Sequence, residues 1–221
     1  MITLMNNYDI LLFDLDGTLT DSAEGIIRSM KHALVTMGKP VPDDINCFLG
    51  PPLYDSFEEF CGMNEEEVLE AVRIFRERYK TIGLFENRVY DGVEEMLERL
   101  QKGGKKMYVA TSKPDVFAER ILEKFGIAHY FPIIGGADIG GTRNEKREVI
   151  EYVLEKAGIT DRSRVLMIGD RRQDVNGAHK TRLKCLGILW GYGTTEELNE
   201  AGADFIAHTP QEAADMLLGK E

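Results

Sequence analysis

Two aspartates, Asp14 and Asp16, stand at the end of an unbroken apolar run, Ile10-Leu11-Leu12-Phe13, and Gly17 interrupts the chain directly after them. Such a run bounded by a breaker reads as a strand covered on both faces. Strands of that kind build parallel sheets between helices, and ligands then sit beyond their carboxyl ends. Asp14 therefore stands where cover ends and chemistry can begin. Carboxylates this close repel, and a cation between them relieves the repulsion. An oxygen-only site made of aspartates suits Mg²⁺, which prefers carboxylates together with substrate phosphate. A second acidic pair, Asp170 and Asp174 in G-D-R-R-Q-D, follows the apolar run Val165 to Ile168, at a spacing that puts both on one helical face.

Two further groups are of types that would serve an anion. Thr111-Ser112 supplies hydroxyls and backbone N–H groups just ahead of an expected helix start, where unpaired N–H groups and the helix dipole favour negative charge. An ordinary helix cap explains the same pair equally well. Lys113 beside them either reaches a phosphate or faces solvent. Lys146 falls near the start of a helix, in R-N-E-K-R, where the dipole disfavours a cation and an anion is needed to justify it. Arg143 and Arg147 are nearby rivals for that part.

The elements that must hold these residues can be read along the chain. Ile26, Met30, Ala33, Leu34 and Met37 recur at helical spacing until Gly38, Pro40 and Pro42 stop them. Gly50-Pro51-Pro52 punctuates short helices, and Asn64 with Glu67 forms a capping box for another helix bearing Val68, Val72, Phe75 and Tyr79. No strand signal falls between about Ser22 and Phe85, so residues 22–85 read as a small helical insertion. From Asp91 onward strands and helices alternate. Helices are expected from an Asp91/Glu94 cap, from Pro114 in a first turn, near Glu145 to Ala157, after Thr194 and after Thr209. Strands are expected at Met107 to Ala110, Phe131 to Ile134, Val165 to Ile168, Cys185 to Leu189 and Phe205-Ile206. The fold class is α/β: a Rossmann-like, doubly wound parallel-sheet core formed by residues 1–21 and 86–221, interrupted by the all-helical domain.

Composition excludes several classes of function. The 221 residues carry a net charge of −11, the wrong sign for a nucleic-acid or anionic-membrane partner. No apolar run is long enough to span a bilayer, and the N-terminus lacks the pattern of a secretory signal. Three scattered cysteines, Cys47, Cys61 and Cys185, fit a reducing cytoplasm and read as small buried hydrophobes.

The stretch D-L-D-G-T-L-T-D-S resembles the nucleophile motif of the haloacid-dehalogenase-like superfamily, in its phosphatase branch. The resemblance spans essentially the whole chain, with the other groups in the right order. It implies that Asp14 attacks phosphorus and becomes an aspartyl-phosphate. Asp16 would protonate the leaving oxygen and then activate water, while its backbone carbonyl ligates Mg²⁺. Thr111 and the Ser112 N–H would hold phosphoryl oxygens, with Lys113 as a further phosphate contact. Lys146 would neutralise nucleophile and phosphate, and Asp170 and Asp174 would complete the metal site. The helical block lies where members of this superfamily carry a cap that excludes water, and Phe48 to Leu53 is either its substrate contact or a helix–helix corner, which Gly50-Pro51-Pro52 explains equally well.

The expected activity is thus Mg²⁺-dependent hydrolysis of a small phosphorylated metabolite by a cytoplasmic monomer or homodimer, similar to the phosphoglycolate-phosphatase-like group. The G-P-P-L and W-G-Y-G stretches are also similar to members described as 5′-nucleotidases. A sugar phosphomutase would share the chemistry but return the phosphoryl group, and a non-enzymatic phospho-acceptor would store it. Asp16 and the helical block weigh against the latter. Haloacid dehalogenation is disfavoured because it needs neither Mg²⁺ nor a second aspartate.

Overall fold

In the computed structural model, which describes residues 5–50, 53–138 and 143–219, the first apolar run forms β1 (Ile10–Phe13) at the centre of a sheet. The other main strands are β4 (Lys106–Pro114), β5 (Ile134–Ala137), β6 (Val165–Gly169), β7 (Lys184–Ile188) and β8 (Phe205–Ala207). They lie in the order β5-β4-β1-β6-β7-β8, with every pairing parallel. Two short strands, β2 (Thr20–Asp21) and β3 (Arg88–Val89), pair separately. The helices are α1 (Ala23–Thr36), α2 (Leu53–Cys61), α3 (Glu65–Tyr79), α4 (Val93–Lys102), α5 (Asp115–Lys124), α6 (Lys146–Lys156), α7 (Arg172–Lys180), α8 (Thr195–Glu200) and α9 (Pro210–Leu218).

Burial explains why the strands are apolar throughout rather than alternating. Leu12, Tyr108, Ala110, Met167 and Cys185 pack with Val149, Ile150 and Val153 of α6 and Val175 and Ala178 of α7. Their neighbours in sequence, such as Leu11, Phe13, Val109 and Ile168, are equally buried. Because side chains alternate across a sheet, both faces must be covered. The result is a doubly wound, Rossmann-like α/β core.

The chain divides into two compact units. One comprises the described residues up to Thr20 and from Val89 onward, and the other is Asp21–Arg88. The second holds α1 to α3 with two short 3₁₀ turns, its passages to and from the first running through β2 and β3. Its helices obey the capping and packing rules read from sequence. Asn64 accepts from the Glu67 N–H while the Glu67 side chain returns to the Asn64 N–H. Phe48 is buried against the rings of Phe57 and Phe60, and Leu49 is buried as well. These two residues of the Phe48 to Leu53 stretch therefore fill a helix corner; Pro51 and Pro52 lie outside the described residues.

Several local expectations are corrected. The strand expected at Phe131 to Ile134 lies instead at Ile134–Ala137, through Gly135 and Gly136. Those glycines act there by absence of bulk. A Cβ on Gly135 would stand 2.3 Å from Val153 Cγ2, and one on Gly136 would stand 2.3 Å from the Lys113 carbonyl oxygen. β4 continues through Thr111-Ser112-Lys113 to Pro114, so Pro114 precedes α5 as its N-cap rather than sitting in its first turn. The N-cap of α4 is Gly92, at φ 84°, and not Asp91. Of the cysteines only Cys185 is buried; Cys47 and Cys61 are half-buried, and all three are free.

Candidate active site

Sheet register brings the sequence signals to one edge. Phe13 pairs with Val109 on one side and with Ile168 on the other, so β1 and β6 end within a residue of each other while β4 runs past them to Pro114. Asp14 follows Phe13 and donates its N–H to the Ile168 carbonyl at 2.9 Å. Asp170 follows β6, and Asp174 stands in the first turn of α7. Asp170 thus precedes the helix, and the two acids do not share a helical face as their spacing suggested. Asp174 has a capping part as well, accepting the Arg171 N–H at 3.1 Å.

Asp14, Asp170 and Asp174 each offer a carboxylate oxygen within 4.8 Å of the others, and all three are buried. Lys146, at the start of α6, lies among them. Its ammonium is 2.9 Å from Asp14 Oδ1 and 2.7 Å from Asp174 Oδ1, and it donates to the Ala110 carbonyl at 3.1 Å. The anion that would justify a cation at a helix N-terminus is therefore supplied by the protein. The rivals are elsewhere: Arg143 pairs with Asp115 and stacks on Tyr152, and Arg147 is exposed.

Three carboxylates against one ammonium leave a net negative cluster in a dry place. Burial, reinforced by Asp174 and Asp14, pushes the Asp170 carboxyl up to about 8. Burial likewise raises Asp174, to about 6, with Lys146 opposing and Asp14 adding to the effect. Burial alone would lower the Lys146 ammonium, but the Asp14 and Asp174 charges outweigh it and the net direction is up. Asp14 Oδ1 and Asp174 Oδ1 meet Lys146 as ion pairs while lacking a well-directed hydrogen bond among the described residues. Buried oxygens left with unused acceptor capacity, on an all-carboxylate set, fit a hard divalent cation such as Mg²⁺.

Asp16 does not join this cluster. Its Oδ2 lies 2.6 Å from the Lys113 ammonium, whose side chain is only 7% exposed, so Lys113 does not face solvent but holds an acid. Thr111 is buried, its hydroxyl accepting the Lys113 N–H, and Ser112 is exposed. Sequence reasoning missed Thr18. Its hydroxyl donates to Asp170 Oδ1 at 3.1 Å, joining the first and last signals. The threonine lies inside the quoted motif, but nothing local in the sequence reveals a partner 152 positions away.

Comparison with known proteins agrees with this geometry. Residues 11–188 match the family model for haloacid dehalogenase-like hydrolases. A 5′-nucleotidase of Pseudomonas aeruginosa is 45% identical over 193 residues, covering 86% of this chain and 87% of its own. The tyrosine-protein kinase PtkA of Mycobacterium tuberculosis is 36% identical over 90% of this chain and 68% of its own. A phosphoglycolate phosphatase of Agrobacterium fabrum is 31% identical over 91% of each chain. A crystal structure described as a "predicted phosphatase" from Clostridium acetobutylicum superposes with a TM-score of 0.90 at 44% identity, covering 96% of this chain and 99% of its own. With acids from two adjacent strand ends, a buried lysine between them and this extent of similarity, the chain belongs to the haloacid dehalogenase-like hydrolase family.

Proposed function

We propose that this hydrolase is a Mg²⁺-dependent phosphomonoesterase working through an aspartyl-phosphate on Asp14. The observation that carries the reading is the Lys146 ammonium between Asp14 and Asp174, with Asp170 closing a buried all-carboxylate cluster. Asp14, Asp170, Asp174 and the Asp16 backbone carbonyl are the residues that would hold the metal. When bound, Mg²⁺ would screen the nucleophile's charge from that of the incoming phosphate.

An Asp14 carboxylate oxygen attacks phosphorus in line with the ester oxygen, which departs with a proton from Asp16. Asp16, then a carboxylate, removes a proton from water as the water's oxygen attacks the same phosphorus. Inorganic phosphate leaves and Asp14 is regenerated. Lys146 neutralises charge at Asp14, and the Thr111 hydroxyl and Ser112 N–H hold phosphoryl oxygens. Lys113 has two parts in this reading, fixing Asp16 and meeting the phosphate. The helical Asp21–Arg88 unit is taken as the family's cap.

For substrate, a nucleoside 5′-monophosphate comes first, because the 5′-nucleotidase relative is the more similar at 45% identity; phosphoglycolate follows, with its relative at 31%. Phosphate release from p-nitrophenyl phosphate, with and without Mg²⁺, tests the chemistry. Asp14→Asn should abolish it, and retained activity would refute the nucleophile. Release from nucleoside monophosphates, phosphoglycolate and sugar phosphates then ranks the substrates. Isomerisation with a bisphosphate, or phosphate left on a tyrosine, would point to a transferase instead.

A further inference from the structure

The W-G-Y-G stretch after β7, Trp190 to Gly193, plays no part in the chemistry above, yet it is folded tightly onto the first motif. Tyr192 donates its N–H to Asp170 Oδ2 at 2.8 Å, while Thr18 donates its hydroxyl to Asp170 Oδ1 at 3.1 Å. Each oxygen of a fully buried carboxylate is thereby held by one donor. The Trp190 indole Nε1–H donates to the Thr18 carbonyl at 2.9 Å, so the two clamps on Asp170 are themselves tied together.

The two glycines of the stretch are explained by the same contact. A Cβ on Gly191 would stand 2.1 Å from the Gly17 carbonyl oxygen, and one on Gly193 would stand 1.7 Å from the Asp170 carbonyl oxygen. Both obstacles are backbone, which has nowhere to retreat. The turn is pressed against the loop bearing Asp14 and Asp16 on one side and against Asp170 on the other.

We propose that Trp190 is a positioning residue for the divalent-cation site, setting the orientation of the Asp170 carboxylate through Thr18. This rests on the metal-site reading above. The indole N–H is a donor only, and phenylalanine keeps an aromatic ring while removing that donor. Outer contacts that orient a metal ligand change affinity by about 10- to 100-fold when lost, and a loss in that range is expected here.

The test is calorimetric titration of the metal-free full chain with Mg²⁺ alone, and with Mn²⁺, for wild type and Trp190→Phe. Weaker binding by the variant, with its melting temperature in EDTA unchanged, supports the proposal. So does a raised half-saturating Mg²⁺ concentration for phosphate release with kcat recovered at saturation, which general loosening would not produce. Equal affinities in the two proteins overturn the proposal while leaving the metal site intact. Failure of wild type to bind either ion overturns both. Trp190 is the only tryptophan, so its fluorescence in wild type should change over the same Mg²⁺ range, and an unresponsive emission would count against the link. Should Trp190→Phe fold poorly, Thr18→Ser and Thr18→Val decide: serine retains the hydroxyl and the affinity, valine loses both, and equal affinities refute the clamp.

Discussion

Replacing Lys146 with methionine removes one charge from the most crowded part of the protein and keeps the bulk of the side chain. The Lys146 side chain is only 4% exposed, and its ammonium stands 2.9 Å and 2.7 Å from two carboxylate oxygens. At an effective dielectric of about 20, each such pair is attractive by roughly 6 kcal/mol, against a desolvation cost of several kcal/mol per buried ion. The net loss on breaking the arrangement is therefore on the order of 3–5 kcal/mol, because Asp14, Asp170 and Asp174 are left without a counter-charge. For a chain of this size that corresponds to a fall in Tm of roughly 6–20 °C. The assay is thermal unfolding in EDTA across the pH range, repeated with Mg²⁺. In the variant the stranded carboxylates take up protons more readily, so the deficit should be largest in mild alkali and shrink as pH falls. Mg²⁺ should restore more stability to the variant than it adds to wild type, while phosphate release stays at least about 100-fold down. A Tm unchanged at every pH in EDTA would refute the electrostatic account of the cluster.

Other predictions follow from the same geometry. In the metal-free protein the raised Asp170 and Asp174 carboxyls contribute stability that is full below their unfolded values. That contribution is lost as pH rises, through about 6 for Asp174 and about 8 for Asp170. Mg²⁺ requires the ionised forms, so the Tm difference between Mg²⁺ and EDTA should widen from mildly acid to mildly alkaline solution; a difference independent of pH would contradict this. Gly25→Ala should destabilise the Asp21–Arg88 unit by about 1–3 kcal/mol, since its Cβ would stand 2.0 Å from the Gly83 carbonyl oxygen. Calorimetric Mg²⁺ affinity should be unaltered by that change. Asn64→Ala removes the cap of α3 and should cost about 1 kcal/mol in denaturant unfolding, and no change would mean that water replaces the cap.

What the sequence determined by itself was set by covalent neighbours. The run Ile10 to Phe13 can only be a strand covered on both faces, and the acid that follows it must emerge at the sheet's carboxyl edge. The Asn64 and Thr209 caps act within a few residues, so their signals were complete in the chain. Tertiary structure decided the rest. The strand expected at Phe131 to Ile134 runs instead through Gly135 and Gly136, because Val153 and the Lys113 backbone, brought close by folding, need the space of absent side chains. Asp170 and Asp174 suited one helical face by spacing, yet α7 begins after Asp170. The pairing of Lys113 with Asp16, and the tie from Trp190 through Thr18 to Asp170, join segments that meet only because β4, β1, β6 and β7 lie side by side. Residue types announce which groups can do chemistry; sheet register alone decides which of them stand within reach of one another.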